Sequence, residues 1–183
     1  MAIYVALLRG INVGGKNLIK MADLKECFGT NGFEHVTTYI QSGNVVFGSP
    51  TSGLAALTDR IESMVANTFG LALPVVVRSH RQMKATVEAA PHGFGAEPDR
   101  YRYDVIFLKA PLTSAAALKT VPMKQGVDQA AAGPGALYYS RLTSRATQSR
   151  LSKVVSMPIY QRMTIRNWTT TTKLLGLMET ATR

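Results

Sequence analysis

Residues 36–47 have the sequence VTTYIQSGNVVF, which contains two short apolar runs on either side of a polar turn. The runs at 36–40 and 44–47 are rich in β-branched and aromatic residues, as strands are. Gln41-Ser42-Gly43 between them is typical of a tight turn. The segment therefore predicts a β-hairpin, and the elements around it decide the fold class.

The segments on either side of the hairpin predict two strands and two helices. Apolar, β-branched runs predict strands at 3–8 and 71–77. Apolar residues at helical spacing predict helices from about Met21 to Gly32 and over 54–69. The resulting order, βαββαβ, is that of the ferredoxin-like unit, in which two helices cover one face of a four-stranded antiparallel sheet. The other face of such a sheet needs a cover or a ligand.

The second half of the chain predicts a similar order. SHRQ at 79–82 is a capping box for a helix that Pro91 ends, and 91–99 is a loop rich in Gly, Pro and charge. The elements predicted after it are a strand at 103–108, a helix at 113–120, a hairpin at 127–140, a helix at 146–155, a strand at 163–166 and a helix at about 171–180. We predict an α+β fold of two ferredoxin-like subdomains with antiparallel sheets, 1–90 and 100–183, joined by 91–99. No residue-level repeat between the halves is evident in the sequence.

The two halves of the chain differ in net charge. The chain of 183 residues carries a net charge of +10, of which residues 1–91 supply +2 and residues 92–183 supply +8. The chain has 46% apolar residues and one cysteine, so it is not a disordered protein, a collagen or a disulfide-stabilised scaffold. A basic half attracts phosphate-bearing partners, nucleic acid among them, and a charged soluble surface without a partner is the alternative.

Sequence signals for a membrane or for secretion are missing. No apolar run approaches the roughly 18 residues that cross a bilayer, and residues 1–5 lack the basic start of a signal peptide. The lone Cys27 fits a reducing compartment. We therefore expect a cytoplasmic protein without a membrane partner.

Residues 10–17, GINVGGKN, follow the first predicted strand and match the Gly-x-x-x-x-Gly-Lys part of a phosphate-binding loop. Asn17 stands where Ser or Thr would hold magnesium, and no later predicted strand ends in an aspartate, so nucleotide hydrolysis is disfavoured. Anion binding by backbone N–H groups and basic side chains stays open, as does a tight turn that needs glycine at positive φ. The candidate residues in and beside this loop are Arg9, Gly14, Gly15, Lys16 and Lys20.

Polar residues near the hairpin turn and near the last strand are further candidates. Arg166 has forked donors suited to phosphate or carboxylate, and we predict that it forms one basic pocket with the loop 9–17. We expect the turn 41–44 to be separate and structural. Trp168 is a core anchor or a base-stacking platform. The remaining candidates are Asn167 for the anion and, as secondary sites, Gln41, Ser42, Asn44, Trp168 and Lys173.

Catalytic and metal motifs are missing from the sequence. The histidines at 35, 80 and 92 have no metal-ligand spacing, and Cys27 lies on an apolar helix face. We therefore predict no metal and no cofactor, and catalytic residues stay unknown. Residues 3–8 faintly resemble the first RNA-contact strand of an RRM, but the aromatic, Gly-rich third strand is absent, so an RRM is disfavoured.

Three motifs together carry a family resemblance: ALLRGINVGGK at 6–16, TYIQSGNVVF at 38–47 and RNW at 166–168. They resemble the bacterial domain-of-unknown-function family 1697, and the resemblance runs from end to end. It implies a two-part α+β fold with ferredoxin-like subdomains. It implies no activity, because the family is uncharacterised.

Three functions are compatible with these patterns. The favoured one is a binding protein for a phosphate-bearing ligand, either nucleic acid or a nucleotide-like small molecule, held by the basic Gly-rich loop. The alternative is an enzyme acting on a small anionic substrate in a cleft between the subdomains, and its orienting groups would be Arg9, Lys16, Gln41, Asn44 and Arg166. The third is a homo-oligomeric interaction protein without a ligand.

Overall fold

Residues 1–182 are described by the structure, a computed structural model, and they form two four-stranded antiparallel sheets. The strands of the first sheet are β1 (Ala2–Leu8), β2 (Glu34–Tyr39), β3 (Asn44–Ser49) and β4 (Val75–Ser79). Those of the second are β5 (Tyr101–Leu108), β6 (Asp128–Gly133), β7 (Ala136–Leu142) and β8 (Met163–Asn167). The α-helices are α1 (Met21–Thr30), α2 (Leu54–Phe69), α3 (His80–Glu88), α4 (Ser114–Thr120) and α5 (Trp168–Ala181). The predicted α+β fold with two ferredoxin-like sheets is confirmed.

The first sheet has the strand order β2-β3-β1-β4, so β1 is central. Alternate side chains of β1, such as Ala6 and Leu8, belong to one core with Leu24 of α1 and Ile61 of α2. Val5, on the opposite face of the strand, has no exposed surface either. Both faces of this sheet are therefore buried along β1.

The second sheet has the strand order β6-β7-β5-β8, so β5 is central. Ile106 of β5 and Tyr139 of β7 belong to one core with Ala117 of α4. Helix α4 begins after Thr113, whose hydroxyl oxygen accepts a hydrogen bond from the N–H of Ala116 at 3.2 Å. Because side chains alternate along a strand, the odd-numbered residues of β5 lie on the face opposite this core.

The α-helix predicted at 146–155 is wrong. The structure has three short 3₁₀ helices in this region, Thr143–Gln148, Leu151–Ser156 and Pro158–Arg162. The hydroxyl oxygen of Ser149 accepts a hydrogen bond from the N–H of Leu151 at 3.2 Å. The N–H of Arg150 donates to the Asp128 carboxylate at 2.9 Å. These two backbone N–H groups donate to side-chain oxygens instead of to the carbonyls of a preceding helical turn. A continuous α-helix therefore does not form, and the segment consists of separate 3₁₀ helices.

Contacts within the chain divide it into two compact units. The first unit comprises Met1–Met83 and the C-terminal residues from Lys173, and the second comprises Lys84–Thr172. The division therefore falls inside α3 and α5. The subdomains predicted from the sequence, 1–90 and 100–183, would instead place all of α3 in the first subdomain and all of α5 in the second. Those limits stay a prediction.

A residue-level correspondence relates the two sheets. Val5 of β1 is the register partner of Arg78 in β4, and Val105 of β5 is the register partner of Arg166 in β8. The same strand registers give further corresponding positions: Ile3 and Tyr103, Leu8 and Leu108, Val46 and Tyr138, Gly48 and Ser140. The two units repeat one architecture, and the repeat is hard to recognise in the sequence because only three of these six pairs of positions hold the same residue type.

Candidate functional site

The Gly-rich loop after β1 contains a closed two-residue turn. Gly14 and Gly15 have φ values of +57° and +73°, so the prediction of positive φ here is confirmed. The N–H of Lys16 donates to the carbonyl of Val13 at 3.0 Å and closes the turn. Two consecutive left-handed residues are the signature of a type I′ turn, which glycine adopts without strain.

Asparagine side chains fix the rest of this loop. The Asn12 amide donates to the carbonyls of Ile19 and Gln41, each at 2.9 Å, and the Asn17 amide donates to the carbonyl of Gly10 at 2.8 Å. Loop 9–17 and the hairpin turn are thereby joined. The expectation that the turn 41–44 is separate is wrong, because antiparallel pairing of β1 with β3 brings the end of β1 to the start of β3.

The other predicted residues of this turn have structural roles. Asn44 has no exposed surface. Its amide donates to the carbonyl of Tyr39 at 3.0 Å and to the hydroxyl oxygen of Ser42 at 2.9 Å. Both predicted side chains, at 42 and 44, therefore hold the hairpin turn together.

The glycine turn gives a first testable prediction. Gly14→Ala and Gly15→Ala should each lower the free energy of unfolding by about 1 kcal/mol or more, because alanine is strained at positive φ. A Cβ at either position meets no atom within 4 Å, so the cost is conformational and involves no clash. Urea unfolding of the variants measures it.

Gly29→Ala is the matched control. Gly29 lies inside α1, and its Cβ also meets open space. Alanine is favoured over glycine inside a helix, so this variant should gain stability. Unchanged unfolding midpoints for both turn variants, measured beside this gain, would contradict the assignment of a strained turn.

Arg166 and Arg78 occupy corresponding places in the two sheets. Arg166 is only 9% exposed, and its Nη1 donates to the carbonyl of Ile165 at 2.9 Å. Nη1 of Arg78 donates to the carbonyl of Val77 at 3.0 Å. Burial lowers the pKa of each guanidinium to about 10, so both stay charged at neutral pH. That Arg166 shares a basic pocket with loop 9–17 stays a prediction.

The residues after Arg166 start helix α5. The side-chain oxygen of Asn167 accepts a hydrogen bond from the N–H of Thr170 at 2.7 Å, which is helix-capping geometry. Trp168 is half-buried, and its ring packs edge-to-face on Phe94 with ring centroids 5.2 Å apart. Lys173 is exposed. The predicted tryptophan thus contacts a feature that sequence reasoning missed.

That feature is a cleft of about 380 Å³ in the second unit. It lies on the face of the second sheet opposite the core, between the strands and the loop that precedes β5. We call it the tyrosine cleft, and its lining consists of Pro91, His92, Gly93, Phe94, Glu97, Arg100, Tyr101, Tyr103, Gln129, Ala130, Ala131, Tyr138 and Ser140. None of these residues was a candidate from the sequence, although tyrosines two apart in a strand mark a shared face.

An aromatic cluster forms one wall of the tyrosine cleft. Phe94 packs edge-to-face on Tyr103 and on Tyr138, with ring centroids 4.9 Å and 5.4 Å apart. The ring centroids of Tyr101 and Tyr103 are 6.0 Å apart. Burial raises the pKa of Tyr138 to about 12, so its phenol stays protonated. Phe94 therefore ties the loop to the sheet and to Trp168.

Charged side chains lie at the rim of the tyrosine cleft. The guanidinium carbon of Arg100 is 5.2 Å from the centroid of the Tyr101 ring. Nη1 of Arg100 is 3.4 Å from a carboxylate oxygen of Glu97, and both side chains are exposed. The N–H of Glu97 donates to the hydroxyl oxygen of Tyr103 at 3.3 Å. His92 is exposed as well. The cleft thus combines ring surfaces with a cationic group.

The first sheet has other residue types at the places that correspond to the tyrosine cleft. Tyr103 corresponds to Ile3, and Ser140 corresponds to Gly48. A Cβ on Gly48 would lie 2.7 Å from the sulfur of Met1, so the methionine side chain covers this position. The repeated architecture therefore does not require the tyrosines or the opening between them.

A second cleft, of about 500 Å³, lies in the first unit. Its lining consists of Lys25, His35, Val36, Thr37, Leu177, Thr180 and Ala181. It contains no Phe, Tyr or Trp side chain and no carboxylate. We regard the tyrosine cleft as the better candidate site because it offers both ring faces and hydrogen-bonding groups.

A metal site and a membrane-spanning helix are the two other features to consider among the described residues. Within residues 1–182, no three or more His, Cys, Asp and Glu side chains gather where they could hold a metal ion. None of the described helices combines the length and apolar character that crossing a bilayer requires.

Comparison with known proteins gives the family. A family profile described as a protein of unknown function, DUF1697, matches residues 1–138, three quarters of the chain. The chain belongs to this family. The DUF1697 match includes the Gly-rich loop and the aromatic residues of the tyrosine cleft up to Tyr138. The family predicted from the motifs is confirmed; the matched residues include the motifs at 6–16 and 38–47, and the RNW motif at 166–168 lies beyond them.

A solved structure is similar over the whole DUF1697 chain. It is described as a conserved bacterial protein from Streptococcus pneumoniae, and it is 27% identical in sequence with a TM-score of 0.84. The match covers 97% of this chain and 98% of that chain. No curated protein matches. The two-sheet architecture is therefore shared beyond the segment that the family profile matches.

Proposed function

We propose that this DUF1697 protein is a cytoplasmic binding protein for a phosphate-bearing ligand with a planar aromatic group, a nucleotide-like molecule, held in the tyrosine cleft. The observation that carries the proposal is an opening of about 380 Å³ with Tyr101 and Tyr103 in its wall and Arg100 at its rim. Ligand sites typically have volumes of roughly 300–1,000 Å³, so this cleft suits one nucleotide better than a long strand.

The tyrosines supply the stacking surface. Tyr101 and Tyr103 are half-buried, and their rings are inclined by 45° to each other. Stacking of a base on an aromatic side chain contributes about 1–3 kcal/mol and tolerates different bases. Phe94 packs edge-to-face on Tyr103, so the tyrosine ring is already in place before a ligand arrives.

Arg100 is the group we assign to the phosphate. Both side chains of its ion pair with Glu97 are exposed, and exposed ion pairs contribute little to stability. The guanidinium can therefore turn from the carboxylate to a phosphate at a small cost in free energy. The second unit, Lys84–Thr172, contains twelve Lys and Arg and five Asp and Glu residues, a net charge of +7. A field of this sign attracts an anionic ligand to the cleft.

The basic Gly-rich loop is a second place for a phosphate contact. The N–H groups of Asn12 and Lys16 already donate to carbonyls within the loop. An anion would therefore be held there by the charges of Arg9, Lys16 and Lys20 more than by a cradle of amides. The enzyme and homo-oligomer hypotheses stay open alternatives.

Titration of the full chain with AMP, adenosine and inorganic phosphate tests the proposal. Trp168, the single tryptophan, packs on Phe94 in the cleft wall, so its fluorescence should report occupancy. Calorimetry gives the dissociation constants independently. We expect AMP to bind more tightly than adenosine, and adenosine more tightly than phosphate.

Arg100→Ala should remove the preference for AMP over adenosine. Arg145→Ala is the matched control, since Arg145 is an exposed arginine of the same unit outside the cleft. Absence of saturable heat and of thermal stabilisation with millimolar AMP would overturn the proposed function.

A further inference from the structure

A row of three side chains crosses the floor of the tyrosine cleft. Gln129 of β6 is the register partner of Ser140 in β7, and Ser140 is the register partner of Tyr103 in β5. Register partners place their side chains on the same face, and neighbouring strands lie about 4.8 Å apart. The row therefore leads from a ring surface through a hydroxyl to an amide over about 10 Å.

The polar members of this row have hydrogen-bonding capacity to spare. Gln129 is exposed, and Ser140 lines the same cleft beside it. Among the described residues, neither the Gln129 amide nor the Ser140 hydroxyl makes a side-chain hydrogen bond. A base stacked on Tyr103 would have Ser140 below it and the Gln129 amide at its far edge.

The amide is complementary to a base edge that places a donor beside an acceptor. A glutamine side chain presents one donor and one acceptor side by side. Adenine presents such a pair, the N6 donor beside the N7 acceptor. Guanine presents one as well, the O6 acceptor beside the N1–H donor. Resting on the proposed function, we infer that the Gln129 amide contacts the edge of the nucleotide base in the tyrosine cleft.

The first sheet shows that the fold does not require this row. At the corresponding place, Gly48 of β3 has Ile3 and Glu34 as its register partners. An aliphatic side chain, a glycine and an acid there cannot stack a base or offer an amide. The polar row is thus a property of the second unit and not of the repeated architecture.

Gln129→Glu tests the inference. The carboxylate accepts hydrogen bonds but donates none, so the dissociation constant for AMP should rise about tenfold. A carboxylate also suits the N1–H and N2–H donors of guanine, so the ratio of GMP affinity to AMP affinity should increase. Using the ratio cancels the general repulsion between the new charge and the phosphates. Gln129→Ala should weaken AMP binding without a charge change.

Gln125→Glu is the matched control. Gln125 is exposed, precedes β6 and lies outside the cleft lining, and the substitution changes charge identically. It should leave the GMP-to-AMP ratio as in the parent. If the parent binds AMP and Gln129→Glu leaves the GMP-to-AMP ratio unchanged, the inference is overturned while the proposed function stands. If the parent binds neither nucleotide, the proposed function itself fails.

Discussion

We expect the Gly95→Ala variant to lose about 3 kcal/mol of unfolding free energy and its affinity for AMP. Gly95 has a φ of +87°, where alanine is strained. A Cβ there would also overlap the indole ring of Trp168. The ring cannot withdraw freely because it packs on Phe94, so the substitution should displace the wall of the tyrosine cleft. Urea unfolding followed by circular dichroism measures the loss.

Gly93→Ala separates the clash from the backbone strain. Gly93 lies two residues earlier and also has positive φ, +77°, but its Cβ would meet no atom within 4 Å. We expect it to lose only about 1 kcal/mol. Equal losses for the two variants would contradict the close packing of Gly95 on Trp168.

The second large effect concerns Tyr103 and the ligand. Tyr103→Leu removes the ring but keeps apolar bulk, and it should weaken AMP binding about tenfold or more, as expected for loss of one stacking contact. Tyr103→Phe keeps the ring and removes only the hydroxyl that accepts from the N–H of Glu97. The Phe variant should therefore bind AMP within about threefold of the parent. Calorimetric titration measures all three proteins.

A melting curve of each Tyr103 variant separates lost stacking from lost folding. Stable Leu and Phe variants with equal AMP affinity would show that the ring does not stack on the base. Equal weakening in both stable variants would assign the contact to the hydroxyl instead of the ring.

Local features were predictable from the sequence. The hairpin at 36–47 follows from alternation and turn residues that are neighbours in the chain, and the positive φ of Gly14 and Gly15 follows from glycine's lack of a Cβ. The capping box is also local: the N–H of Gln82 donates to the Ser79 hydroxyl oxygen at 3.3 Å. Such features depend on few residues, so tertiary packing rarely overrides them.

The tyrosine cleft was not predictable in the same way. Alternation puts Tyr101 and Tyr103 on one face of a strand, but it does not say which face is open. The wall depends on Phe94 meeting Trp168, residues that are far apart in the chain. The division of 146–155 into 3₁₀ helices likewise depends on Asp128, which no local pattern connects to that segment.

Amide-resolved NMR spectra recorded during addition of AMP to the full chain locate the ligand directly. Binding in the tyrosine cleft should shift the amide signals of Phe94, Tyr103, Gln129 and Ser140 along saturable curves and leave α1 unchanged. No shift at saturating AMP, or shifts confined to residues 9–20, would contradict a nucleotide site in the second unit.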